Sequence, residues 1–244
     1  MLTPTALAVL ALAAFLVGLA KTSLGGLATV SVALFALVLP ARESTAALLL
    51  VFLVGDAIAV TLYRGEADWT LIRSMLPGIL PGLVVGTVVL AVASDDVLRR
   101  GIGAVLVALV ALQLLVRRRS VAAPEPWSLP ARATVGLAAG FTTMVANAAG
   151  PVMALYLVGQ GVEKRRFVGT AAWFFLGVNL AKLPFSVGLG LVSPSMLATT
   201  ALLAPAVALG AFTGLVLLDR LRQHVFEFTV LAASALSAVP LLLL

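Results

Sequence analysis

Between Ala6 and Leu39 the chain stays apolar for longer than one membrane crossing, and inside that run it places Lys21, beside Thr22 and Ser23 and just before Gly25 and Gly26. A charged side chain at membrane depth is expensive, so it faces protein or a polar cavity and marks a substrate or ion site. Gly18, Gly25 and Gly26 let a helix break there. Irregular backbone at that depth is tolerated only where it is buried in protein or lines a cavity. The competing assignment is a lysine that snorkels to an interface from a short helix. The apolar runs on the two sides of Lys21 are nearly equal, which favours the site.

The remainder of the chain extends this reading. Its 244 residues are 62% hydrophobic and 11% charged, which excludes an ordinary soluble domain and predicts an all-α polytopic membrane protein. The net charge of +6 resides in short basic clusters between apolar segments, the pattern of cytoplasmic loops, so the bilayer is the expected partner and no nucleic acid is. No cysteine is present and His224 is the single histidine; no disulfide framework, thiol chemistry or Cys or His metal site is expected. Residues 1–20 lack a basic leading region, so they read as a mature membrane element and not as a cleaved signal. Oligomerisation is left open.

Apolar segments follow at roughly 44–62, 70–93 and 97–116, each long enough to cross as a helix. Residues 117–131, with Arg117, Arg118, Arg119, Pro124, Pro126 and Pro130, are the longest polar stretch and read as a linker. Segments near 133–160, 167–188, 196–218 and 225–243 then repeat the same order of lengths. An offset of 124 residues, without a gap, pairs Gly26 with Gly150, Arg42 with Arg166, Pro81 with Pro205, Gly86 with Gly210 and Asp95 with Asp219. Gly, Pro, Arg and Asp mark turns and loop ends, so these matches predict a duplication: a first repeat over 1–116 and a second over 132–244. Lys21 to Gly26 then corresponds to Val145 to Gly150, and each half opens with an interrupted apolar element.

The basic residues predict orientation. If every apolar block crosses once, six Lys and Arg stand against eight and nothing is decided. If each interrupted element is re-entrant or makes two short crossings, Arg64, Arg73, Arg117–Arg119, Arg132, Lys164–Arg166, Arg220 and Arg222 share one side, and Arg42, Arg99 and Arg100 the other. Eleven against three is the asymmetry of cytoplasmic against outer loops. The expected fold is two inverted repeats, each a broken or re-entrant helical element plus three transmembrane helices, with the linker cytoplasmic and both termini periplasmic.

In that arrangement the two breaks approach each other near mid-depth, which makes Lys21, Thr22, Ser23, Gly25, Gly26, Asn147 and Gly150 the expected substrate-binding residues. Half-helix N-termini offer unpaired N–H groups and positive dipole ends, and glycine lets an oxyanion approach them. Pro151 suits the first turn of a helix. Asn179 and Lys182, three apart and so on one helix face, add an amide and a cation in the second element of the second half. Asp56, in the second element of the first half, is the expected counter-ion or coupling-proton site. A purely structural role, tight packing for the small residues and a fixed ion pair for Asp56, remains the alternative. No phosphate-binding loop, dinucleotide fingerprint or nucleophile-and-base set is found, so neither a cofactor nor catalysis is expected.

Two halves that each open with a Gly-rich broken element, GLAKTSLGG and GFTTMVANAAGP, together with the later NLAKLPF segment, resemble the sulfite exporter TauE/SafE family of bacterial membrane transporters. The resemblance covers essentially the whole chain. It implies a secondary transporter of the inner membrane that exports small sulfur-containing or organic oxyanions such as sulfite or sulfonates. The residues alone reach an anion-handling carrier, with a gated anion channel and a non-transporting scaffold subunit as the other readings.

Overall fold

The structure, a computed structural model, describes residues 3–23, 25–94, 96–98, 100, 101, 104 and 128–236. Among them every regular element is helical: α1 (Pro4–Thr22), a short 3-10 turn (Gly25–Leu27), α2 (Ala28–Val38), α3 (Ala41–Tyr63), α4 (Trp69–Val92), α5 (Leu129–Ala146), α6 (Ala149–Gly159), α7 (Lys164–Gly188), α8 (Pro194–Arg220) and α9 (Gln223–Leu236). Helices α1, α3, α4, α7 and α8 are long and apolar enough to cross a membrane. At 11 residues each, α2 and α6 extend about 16 Å and fall short of a crossing.

The predicted 97–116 crossing and linker residues 117–127 lie almost wholly outside the described residues. The end of that expected linker belongs to α5, because Ser128 caps the helix and Pro130 occupies its first turn. Four other long helices start by the same chemistry, while α3 follows Pro40 without a side-chain cap. Thr3 caps α1, Asp68 caps α4, Glu163 caps α7 and Ser193 caps α8.

Both interrupted elements break. Helix α1 stops at Ser23, whose hydroxyl turns back to Leu19 O at 2.7 Å. Ser31 Oγ then donates to Ala13 O at 2.9 Å, so α2 doubles back along α1 and the first element is a re-entrant hairpin. Helix α5 stops at Asn147, which adopts the left-handed conformation at φ 51°, a state asparagine tolerates better than most residues.

The offset of 124 carries α1, α3 and α4 onto residues 128–146, 165–187 and 193–216, within a few residues of α5, α7 and α8. Packing follows the same exchange. Helix α1 packs along α8, and their counterparts α5 and α4 pack along each other, while α3 meets its own counterpart α7. Glycines let the backbones touch in both pairs: a methyl at Gly18 would lie 1.9 Å from Val207 O and one at Gly210 1.9 Å from Phe15 O. In the second pair a methyl at Gly78 would lie 1.8 Å from Ala133 O and one at Gly82 2.4 Å from Leu137 O. Without a hydrophobic force between helices in lipid, such small-residue seams are what holds them.

Numbers rise together along each seam, so α1 runs with α8 and α4 runs with α5. Arg166 pairs with Asp68 and Arg165 with Asp219, which gathers the end of α3, the starts of α4 and α7 and the end of α8 at one end of the bundle. A cleft lined by Leu10, Leu39, Arg42, Gly190 and Ser193 gathers the opposite ends. We call these the Arg64 end and the Arg42 end. Helix α1 therefore leaves the Arg42 end and α5 leaves the Arg64 end, in opposite directions.

Basic side chains also close the fourth helix of each half. Arg42 donates to Ala93 O just past α4, and Lys164 Nζ donates to Leu218 O at 2.9 Å and Leu221 O at 2.6 Å at the end of α8. Each places a cation on the carbonyls a helix C-terminus leaves unpaired.

The seams generate the first prediction. Gly210→Ala forces α1 and α8 apart and costs about 1–3 kcal/mol, whereas Gly188→Ala, where a methyl meets nothing within 4 Å, costs little. Thermal unfolding of both variants in detergent checks this; an unshifted midpoint for Gly210→Ala contradicts the seam.

Candidate functional site

Three of the expected residues meet in one buried constellation. Lys21, the next-to-last residue of α1, places Nζ 2.6 Å from Asp56 Oδ1, and the two side chains are 6% and 0% exposed. Asn179 Nδ2 donates to the other carboxylate oxygen, Oδ2, at 2.6 Å. Asp56 is thus held from α1 and α7 at once. Of the two lysines it could neutralise, the fold pairs it with Lys21. Gly55 makes the approach possible, because a methyl there would lie 3.1 Å from Lys21 Cγ and 3.3 Å from Val17 Cγ1.

The ammonium of Lys21 also lies 4.4 Å from the ring centres of both Phe52 and Phe175. Among the described residues Asp56 is its one polar partner, so aromatic faces take the place of further acceptors. The sequence reading missed both rings, although a signal existed. Phe52 stands four before Asp56 and Phe175 four before Asn179, and that spacing puts each pair on one helix face.

Lys182 forms a second cluster. Its Nζ donates to Thr143 O at 2.7 Å, to Thr143 Oγ1 at 3.3 Å and to Asn147 Oδ1. Asn147 Nδ2 donates in turn to Thr45 O at 2.9 Å. The amide expected to face an anion is therefore occupied on both sides, and Asn147 works as a strut between α3, α5 and α7. Lys182 and Asn179 share a face of α7 yet reach different partners, one the second break and the other Asp56.

Between these clusters the breaks meet. Gly150, in the first turn of α6, stands close enough to Gly25 that a methyl on it would lie 3.3 Å from Gly25 O. Lys21, Ser23, Gly25, Asn147, Gly150 and Asn179 line a cavity of about 30 Å³, room for about one water. Gly25 is open on this side, with nothing within 4 Å of an added methyl. Asn179 Oδ1 is buried and has no hydrogen-bond partner among the described residues.

One expected ligand lies elsewhere. Thr22 turns its hydroxyl away from the cavity to Ala211 O at 2.8 Å and Gly18 O at 3.2 Å, while its own carbonyl accepts from Tyr63 OH at 3.0 Å. It belongs to the α1–α8 seam, beside Gly214. Gly26 falls in the 3-10 turn.

A larger cleft of about 840 Å³ occupies the Arg42 end, with Arg42, Glu43, Ser193, Ser195, Thr199 and Thr200 among its walls. Leu10, Val51 and Leu203 also line it and are buried. Each stands one or two helical turns before Val17, Gly55 and Val207, the residues gathered around the stem of Lys21. An aliphatic layer separates the cleft from the ion pair.

Compared with known families, residues 10–241 match the family model described as Sulfite exporter TauE/SafE. The chain belongs to the TauE/SafE sulfite exporter family. No curated protein and no solved structure matches it. TauE/SafE membership implies a membrane transporter of sulfite or a related anion, and the apolar helices make this member a multi-pass membrane protein.

Within this TauE/SafE chain the Lys21–Asp56 pair has a measurable cost. Lys21→Met leaves Asp56 buried without its cation and destabilises the protein by about 3–5 kcal/mol. Adding Asp56→Asn removes the stranded charge and recovers much of that loss. Unfolding of the two single variants and the double variant tests the pair, and additive losses would show that it is not coupled.

Proposed function

We propose that the protein is a secondary transporter that exports a small sulfur-containing oxyanion, and that the anion binds at Lys21 by displacing Asp56. The observation that carries this reading is the pair itself, set beside the cavity where the two breaks meet. With ordinary charges on Lys21, Lys182 and Asp56, the cluster carries two positive charges and one negative, a net +1 that one monoanion neutralises. Ser23, Gly25 and Gly150 line the cavity beside the pair, the Ser23 hydroxyl being already donated to Leu19 O. Asn179 Oδ1 offers an acceptor to the O–H of a protonated oxyanion.

The cavity is smaller than a sulfur oxyanion, so binding requires the breaks to separate. A closed, charged site between two interrupted elements supports a carrier over a continuous pore, since a pore needs a polar path through the layer of Leu10, Val51 and Leu203. The cleft behind that layer is the exit on the Arg42 side.

Orientation follows from where the basic residues gather. Among the described residues, Arg64, Arg73, Arg132, Lys164, Arg165, Arg166, Arg220 and Arg222 belong to the Arg64 end, and Arg42 and Arg100 to the other. We assign the Arg64 end to the cytoplasm of a bacterial cell and the Arg42 end to the periplasm, with both termini periplasmic. The opposite directions of α1 and α5 make the halves inverted repeats across that membrane. An inside-negative potential then expels the anion, at about 2.3 kcal/mol per charge per 100 mV.

Flux from proteoliposomes tests the reading. Under an imposed potential, sulfite, thiosulfate or a sulfonate should leave, and Lys21→Met should abolish the movement while leaving the protein inserted. Flux of none of these anions rejects the assignment in favour of a scaffold. Asp56→Asn removes the anion's competitor, so it should bind more tightly and leave more slowly than from the wild type. A variant that binds normally but loses its response to a pH gradient would instead make Asp56 a proton carrier.

Topology is tested separately. Reporters fused at the C-terminus and within residues 117–127 should report opposite sides. The same side for both contradicts the inverted arrangement.

A further inference from the structure

On the outer surface of the bundle, α4 and α7 leave the Arg64 end together with a groove of about 420 Å³ between them. One wall carries Trp69, Arg73, Leu76 and Leu80, at spacings that keep them on one face of α4. Trp173, Gly177 and Leu180 form the facing stripe of α7. Gly177 leaves the floor open, with nothing within 4 Å of an added methyl. Leu76, Leu80 and Leu180 are about half exposed in the chain, at 46%, 59% and 51%.

We propose that this groove binds an anionic phospholipid of the leaflet at the Arg64 end. Its dimensions are those of one lipid chain in one leaflet. From Trp69 to Leu80 the helix rises 11 steps, about 16 Å, against about 15 Å for half of a 30 Å hydrocarbon core. The two indole rings stand at its mouth with centroids 5.2 Å apart, and Trp173 Nε1 donates to Arg64 O at 3.4 Å, which fixes that ring at headgroup level.

The charge comes from Arg73. Nearby Arg165 and Arg166 are spent on Asp219 and Asp68. Arg73 has no ion-pair or hydrogen-bond partner among the described residues. It lies one turn inside the tryptophans, where a guanidinium is costly unless an anion meets it. A phosphate at the head of a lipid chain supplies that anion with the geometry guanidinium favours. A second copy of the chain fits less well, because a two-fold contact through this groove would set Arg73 against Arg73.

The test uses the full-length protein purified in mild detergent from membranes containing phosphatidylglycerol and phosphatidylethanolamine, with co-purified lipid counted by mass spectrometry. Arg73→Gln should lower retained phosphatidylglycerol about fivefold and leave phosphatidylethanolamine unchanged. Gly177→Leu, which fills the floor without touching the charge, should displace the same lipid. Arg220→Gln, at the same end outside the groove, should change neither. Undiminished phosphatidylglycerol in both groove variants overturns the proposal, as does an equal loss of both lipids in Arg73→Gln. If Gly177→Leu instead converts an oligomer into a monomer, the groove is a protein interface and the lipid assignment fails.

Discussion

Everything at the centre of this protein is arranged around two charges that water cannot reach. Removing a carboxylate and an ammonium from water costs several kcal/mol each, and attraction between them compensates only when geometry is good and the remaining polar valences are filled. Asp56 meets that condition with one oxygen on Lys21 and the other on Asn179. Lys21 meets it only in part, with one carboxylate and two ring faces. On the proposed reading, a pair so incompletely satisfied holds the resting fold and is still open to exchange with the anion. A fully satisfied pair would resist displacement by a substrate.

The frame around that pair is built from glycine. Lipid offers no hydrophobic force to drive helices together, so close backbone approach and hydrogen bonding hold them. The α1–α8 and α4–α5 seams, each pairing a helix of one half with a helix of the other, use the same device, and the offset of 124 residues exchanges one for the other. The seams fix the four helices that carry no site charge apart from Lys21. That leaves α3 and α7, which meet each other at Asp56 and Asn179, and the short α2 and α6, which meet the site only through the breaks.

The two lysines divide the work. Lys21 lines the cavity, while Lys182 sits behind Thr143 and Asn147 and ties the second break to α7. Its charge still acts on the cavity across a short, dry distance, where screening is weak. On the proposed reading, substrate attraction and mechanical support fall mainly to different residues, although both were singled out for the same reason, a cation inside an apolar run.

Much of this was legible in the sequence. Hydropathy, the basic clusters and the repeated Gly, Pro and Arg positions determine a polytopic helical bundle with two broken elements, because lipid demands internally satisfied helices and charges at depth need a reason. Lys21, Asp56, Asn179 and Lys182 stand out on the same ground. Tertiary structure alone decided how they pair. Asp56 is compatible with either lysine by sequence, and only the crossing of α1, α3 and α7 selects Lys21. Thr22 and Ser23 are equivalent as neighbouring hydroxyls, yet Thr22, the last residue of α1, is taken up by the α8 seam, whereas Ser23, where the helix has ended, also lines the cavity. Asn147 reads as a ligand until the fold places Lys182 and Thr45 on its two sides. Polarity at depth is a property of single residues and can be read along the chain. Partnership depends on how helices far apart in sequence cross, and nothing local encodes it.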